Sequence, residues 1–190
     1  MTTEMTPPAA ASVQSQLPHA DIGDTAPIAE DLLDRVLEPY SFKGCRYLLN
    51  ATYKATEDSV LAYGNFRITE SAYIRSTGHF NGAELLVCFN QLAYSAFAPA
   101  IINEEIPVLR GWSITDYFDN QLPSMLIKTA SQRFKRIINA EQFSARLLCK
   151  NFEVMDRSIR YLKVPCAIEF WDGIGGAAYG EVELAALNIP

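Results

Sequence analysis

Histidine is almost missing from this chain. Of 190 residues only His19 and His79 carry an imidazole, and His19 sits in an N-terminal stretch without hydrophobic periodicity. A zinc hydrolase or a two-histidine, one-carboxylate iron site needs more ligands than one imidazole in the body can offer. No metal and no cofactor is expected. The four cysteines, Cys45, Cys88, Cys149 and Cys166, form no CxxC pair, which reads as reduced, buried thiols. The first residues lack a basic, apolar leader, so a cytoplasmic location is expected. No GxSxG elbow marks an α/β-hydrolase nucleophile. No apolar run reaches the ~20 residues of a membrane span. The most apolar stretch, 83–102, is interrupted by Glu84, Asn90, Gln91, Ser95 and Pro99.

A basic surplus is lacking too. The net charge is −6, and residues 1–40 hold seven acids against the single base Arg35, so the other 150 residues balance. Nucleic-acid binding needs a concentrated basic footprint and is excluded as a main activity. What remains is an ordinary globular composition, 49% apolar and 20% charged. The chain is expected to form one domain over 27–190, preceded by a flexible leader over 1–26 rich in Pro, Ala, Thr and Ser.

Within the domain, Ile28, Leu32, Leu33, Val36 and Leu37 recur at helical spacing, with Pro39 as a stop. Two strands follow, over 47–54 and 60–68, with Thr56-Glu57-Asp58 as their turn. The segment 81–97 is the best helix: Asn81 can cap it and Glu84 completes a capping box. Leu85, Leu86, Phe89, Leu92, Ala93, Ala96 and Phe97 cover a broad apolar arc, Glu84, Gln91 and Ser95 form the polar remainder, and Pro99 ends the helix. Residues 113–140 are ambiguous apart from a short helix near 113–121. Three long β-like runs close the chain, over 143–155, 158–171 and 177–187. A buried helix with about five strands predicts an α+β hot-dog domain, a curved antiparallel sheet wrapped around a central helix.

Gly173-x-Gly175-x-x-Ala178 matches a dinucleotide fingerprint, but it lies between strand-like runs rather than before a helix, so it reads as a turn. The chemically dense stretch is 73–82: a phenol, a guanidinium, two hydroxyls, an imidazole and an amide at the approach to the buried helix. The first amides of that helix, including those of Gly82 and Ala83, lack intrahelical partners and carry the positive end of its dipole. They can act as an oxyanion hole, with Gly82 letting a ligand approach; a simple capping loop would explain the same residues. Asn90 falls on the apolar side of the wheel, where a buried amide needs partners. Tyr40 is ambiguous from spacing alone. The cluster Lys128, Arg133, Lys135 and Arg136 contains no acid; it is a solvated face or a dock for an acidic partner or for the phosphates of a pantetheine carrier.

Several segments resemble one family. Residues 34–40 (DRVLEPY), 43–47 (KGCRY), 73–81 (YIRSTGHFN), 88–97 (CFNQLAYSAF) and 183–190 (ELAALNIP) are similar to the FcoT family of hot-dog proteins, over about residues 27–190. The resemblance implies thioesterase chemistry without the usual hot-dog catalytic carboxylate. For members of isonitrile lipopeptide pathways it implies (2E)-enoyl-acyl-carrier-protein glycyltransferase activity, in which glycine adds to an enoyl thioester and the thioester is then hydrolysed. Family active-site positions match Tyr40, Tyr73, Asn81 and Asn90. On this reading His79 is the candidate base, Arg75 the candidate partner of the glycine carboxylate, and Gly82 part of the oxyanion site. The implied partners are acyl carrier protein, glycine and a second copy of the chain in a homodimer or an assembly of dimers. Plain acyl-CoA or acyl-carrier hydrolysis is the nearest alternative, and a non-catalytic acyl-binding module the next.

Overall fold

The structure, a computed structural model, describes residues 24–156 and 158–190. The leader over 1–23 and His19 lie outside the described residues. Asp24, Thr25 and Ala26, grouped with the leader by composition, are tied to the body. Strand β1 (Ala26–Pro27) pairs with Thr52 and Tyr53, and Lys54 bonds Asp24. Helix α1 (Glu30–Val36) buries Leu33 and Val36. Pro39 does not stop the chain's helical path. It sits in the first turn of a second short helix, α2 (Glu38–Phe42), where a missing N–H costs nothing because first-turn amides have no acceptor.

Strands β2 (Leu48–Thr56) and β3 (Ser59–Phe66) form the expected hairpin, closing on the Thr56–Ser59 pair. The long helix α3 (Gly82–Ile102) follows. Pro99 lies inside it, and the last turn continues to Ile102 because burial of Ala98, Ala100 and Ile101 outweighs the local cost of a proline. By length and composition α3 could cross a bilayer, with mean hydropathy 1.6, against the sequence expectation; 78% of that window is buried inside the fold. The polar remainder of its wheel is equally enclosed: Glu84, Gln91 and Ser95 are all buried. Gln91 explains how. Its carbonyl accepts from the N–H groups of Tyr47 and Leu48, both at 2.9 Å, and its amide donates to Cys45 O at 2.8 Å.

Helix α4 (Ile114–Gln121) occupies the short stretch predicted for it, capped by Ser113. The ambiguous residues after it form a long strand, β4 (Met125–Arg136), and β5 (Phe143–Lys150), β6 (Glu153–Asp156), β7 (Arg160–Trp171) and β8 (Ala177–Leu187) complete the sheet. The expected single run over 143–155 is broken because Asn151 turns the chain at φ 59°. The antiparallel order is β1-β2-β3-β5-β7-β8-β4, with β6 beside β7. Alternate residues of β7, Leu162, Val164, Cys166, Ile168 and Phe170, point at the core beneath α3. This curved sheet around a buried helix is the hot-dog architecture. Beneath the start of α3, Phe80 packs at 4.7 Å from Phe143 and 4.8 Å from Phe170, ring centre to ring centre. Such aromatic packing fixes the loop that leads into the helix.

Candidate active site at the start of the long helix

The capping box expected at Asn81 is formed. Its side-chain oxygen accepts from the N–H of Ala83 at 3.1 Å and of Glu84 at 3.3 Å, and Glu84 Oε2 accepts from the Asn81 N–H at 3.1 Å. The Tyr73 hydroxyl donates to the same Asn81 oxygen at 2.9 Å. These bonds narrow the expected oxyanion hole, because the amide of Ala83 is already occupied. The N–H of Gly82 has no acceptor among the described residues. The Asn81 Nδ2 group is buried and also has no partner. Two adjacent donors at the positive end of a 21-residue helix therefore remain available for a developing oxyanion.

His79 is exposed, and its Nδ1 lies 3.2 Å from Thr77 O. A carbonyl oxygen only accepts, so this contact places the proton on Nδ1 and leaves the Nε2 lone pair available as a base. The segment is held alongside residues 138–139: Phe80 N–H donates to Ile138 O at 3.1 Å, and His79 pairs with Asn139. A hollow of about 420 Å³ opens there. His79, Phe80, Asn81 and Gly82 form one wall, and Phe134, Lys135, Arg136 and Ile137 the other. A second hollow, of about 440 Å³, is lined by β4, β5, β7 and β8 and includes Lys150, Glu181 and Glu183. None of the sequence-predicted site residues borders it.

The other predicted residues separate. Tyr40, on α2, stands among Tyr94, Cys45 and Cys88. Burial pushes its phenol far above the usual range, and those neighbours push in the same direction. It stays protonated and serves as a neutral hydrogen-bonding group or a packing ring rather than as a base. Cys88 and Tyr94 stand about 10 and about 20 Å along the α3 axis from Asn81 at ~1.5 Å per residue, and no hydrogen bond links Tyr40 to the Tyr73–Asn81 pair. Asn90 is half-buried rather than enclosed. It lies on one stripe of α3 with Ala83, Leu86 and Val87, the least covered face of that helix. Arg75 is exposed and does not line the hollow.

Sequence reasoning missed Gln132, because the strand that carries it was not legible. A Cβ added at Gly82 would stand 2.8 Å from Gln132 Oε1. The group that closely approaches this glycine is therefore the Gln132 amide from β4. The basic cluster divides once β4 is formed. Lys128 bonds Glu183 and Tyr161, Lys135 lies over the Tyr179 ring, and Arg136 reaches the hollow. The glycine-rich segment 173–176 is the β7–β8 turn, as expected. Asp172 braces it by accepting from the N–H groups of Asn139, Ile174 and Gly176.

Comparison with known proteins gives four findings. A protein of Mycobacterium marinum named (2E)-enoyl-[ACP] glycyltransferase is 69% identical over 189 residues, covering 100% of this chain and 99% of the relative. A protein of the same name from Mycobacterium tuberculosis is 73% identical over 166 residues, covering 87% of this chain and 91% of the relative. Among solved structures, a conserved protein of Pseudomonas aeruginosa aligns with 84% of this chain and 99% of its own at 12% identity and a TM-score of 0.44. The description "FcoT-like thioesterase domain" matches residues 35–186, a span that holds the Tyr73–Asn81 pair, all of α3 and β4, and with that match the chain belongs to the FcoT-like thioesterase family.

Proposed function

We propose that this protein is a (2E)-enoyl-acyl-carrier-protein glycyltransferase that adds glycine to an α,β-unsaturated acyl thioester and then hydrolyses the thioester. One observation carries the chemistry. Asn81 has its oxygen filled by Tyr73 and by two helix amides, and its NH₂ group and the Gly82 N–H have no acceptor among the described residues. Donors preorganised in this way stabilise charge that appears only during reaction.

In the addition step the glycine nitrogen lone pair forms a bond to the β-carbon. The carbon–carbon π pair moves toward the thioester oxygen, which gains charge beside Asn81 and Gly82. The ammonium proton of the adduct passes to His79 Nε2, and collapse of the enolate takes a proton at the α-carbon. In the second step water attacks the thioester carbon, the same donors hold the tetrahedral oxyanion, and the carrier thiol leaves with a proton. Tyr73 holds Asn81 in place throughout. The stripe of Leu86, Val87 and Asn90 forms the bed for the acyl chain, and Tyr40 contributes a neutral phenol deeper along α3.

The working unit is a homodimer joined along β4. Residues 128–137 of that strand and its extension are exposed, including Phe134 and Ile137, and one edge of β4 has no neighbouring strand among the described residues. A long unprotected edge of this kind is a template for pairing with a second copy. The four free, buried thiols suit a reducing cytoplasm.

Incubation with an enoyl carrier thioester, with and without glycine, tests the reading. A released acid that has gained one glycine is the expected product. Hydrolysis indifferent to glycine would favour plain thioesterase activity, the reading nearest the family description. Binding without turnover would leave an acyl-binding module.

A further inference from the structure

We propose that Arg136 is the carboxylate anchor of the hollow, the subsite that selects an amino acid as the attacking amine; this rests on the glycine-addition reading above. The hollow brings Arg136 to the wall opposite His79, Asn81 and Gly82. Its floor is apolar, with the Phe80 and Phe134 rings 6.0 Å apart. Six of the chain's other cations, such as Arg146 with Glu169, carry a carboxylate partner. The Arg136 side chain makes no ion pair or hydrogen bond among the described residues.

The β7–β8 turn sets its position by shape rather than by charge. A Cβ added at Gly175, whose φ is +111°, would stand 3.4 Å from Arg136 Nη1, so the guanidinium runs against bare backbone. The nearest acid of that turn, Asp172, has its carboxylate engaged by three backbone N–H groups. The Lys135 ammonium is drawn over the Tyr179 ring, 4.9 Å from its centre. The guanidinium fork is thus free to take a carboxylate with two parallel hydrogen bonds.

Glycine bound this way has its amine one carbon from the anchored carboxylate, within the space shared with His79 and the thioester donors. The geometry moves the carboxylate role from Arg75, which is exposed outside the hollow, to Arg136. An amine without a carboxylate gains nothing from the fork. Selection of the nucleophile is then separate from activation of the thioester.

The test measures glycine dependence of adduct formation on an enoyl carrier thioester for the wild type, Arg136→Lys, Arg136→Met and Arg75→Met. Arg136→Met should raise the glycine KM by ~100-fold and Arg136→Lys by ~10-fold, the Lys variant keeping charge but losing the fork. The value of kcat at saturating glycine should fall far less. Glycinamide, which has no carboxylate, should react with wild type and Arg136→Met alike. An unchanged glycine KM in Arg136→Met overturns the proposal. So does an equal loss in hydrolysis of a saturated acyl thioester, which would mark a structural role, or a KM rise confined to Arg75→Met. A wild type whose product never contains glycine would instead overturn the underlying reading, and saturation-transfer NMR of glycine on the wild type separates the two failures.

Discussion

Asn81 carries two separable properties in one side chain. Its oxygen caps α3 and accepts from Tyr73, while its NH₂ group has no partner among the described residues. Asn81→Asp keeps the oxygen cap and favours the helix dipole, so the thermal midpoint should hold. Turnover should nevertheless fall by ~10²-fold, because a donor has become an anion. Asn81→Ala should lose turnover and also about 1 kcal/mol of stability, read in a denaturant titration. Equal turnover in the Asp variant would clear the NH₂ group of any role. His79 supplies a second residue-scale expectation. His79→Gln should slow glycine addition by ~10²-fold while leaving the thermal midpoint in place, and an unchanged addition rate would assign the base elsewhere. The residues of this site were legible where they are close in sequence. Tyr73, His79, Asn81 and Gly82 fall in one short segment, and a capping box has a local signature. Gln132 was not, and Arg136 showed only as one member of a basic cluster, because both reach the same place from a strand some fifty residues later.

Elements show where spacing succeeded and where it misled. The α3 period is plain, but spacing does not say what its small polar side meets. Three buried hydrogen bonds from Gln91 to the segment 45–48 show that this side anchors the start of β2. Gln91→Leu would leave those backbone groups buried without partners, at roughly 1–3 kcal/mol for each. Denaturation should therefore reveal a large loss of stability, and a Leu variant as stable as wild type would refute the anchoring role. The Gly173–Gly176 turn should respond to acid through Asp172. Burial raises the Asp172 carboxyl, but bonds from Asn139, Ile174 and Gly176 outweigh it and leave the group below its usual range. A depressed carboxyl stabilises the fold above the unfolded value of about 3.9 and loses that contribution as pH falls through the lower folded value. Asp172→Asn should flatten the fall of the thermal midpoint below about pH 4; parallel pH curves would argue against it. Pro39 and Pro99 were read as stops because proline lacks an N–H. One occupies a first turn and the other a buried last turn, where context decides its cost.

The whole molecule adds the edge of β4. Twelve residues long and exposed on both faces over most of its length, it closes one side of the sheet with no further strand beyond it among the described residues. Sedimentation should give twice the chain mass of 21.1 kDa; a monomer at micromolar concentration would sink the β4 pairing. The sheet also makes a contact that spacing does not announce. Cys149 and Cys166, seventeen residues apart, lie opposite each other on β5 and β7 with sulfurs 3.3 Å apart, both free thiols.

The sequence by itself determined the elements with strong local periods: the capped apolar helix, the first hairpin, the closing strands and the loop of polar residues before Asn81. Each follows from backbone geometry and side-chain alternation over a few neighbouring positions. Only the tertiary structure decided what faces that loop. The strand β4 is charged and has no clean alternation, so its place at the sheet edge comes from pairing with β8. That pairing brings Gln132 over Gly82 and Arg136 to the far wall of the hollow. Contacts between distant segments depend on sheet register, which no local pattern encodes.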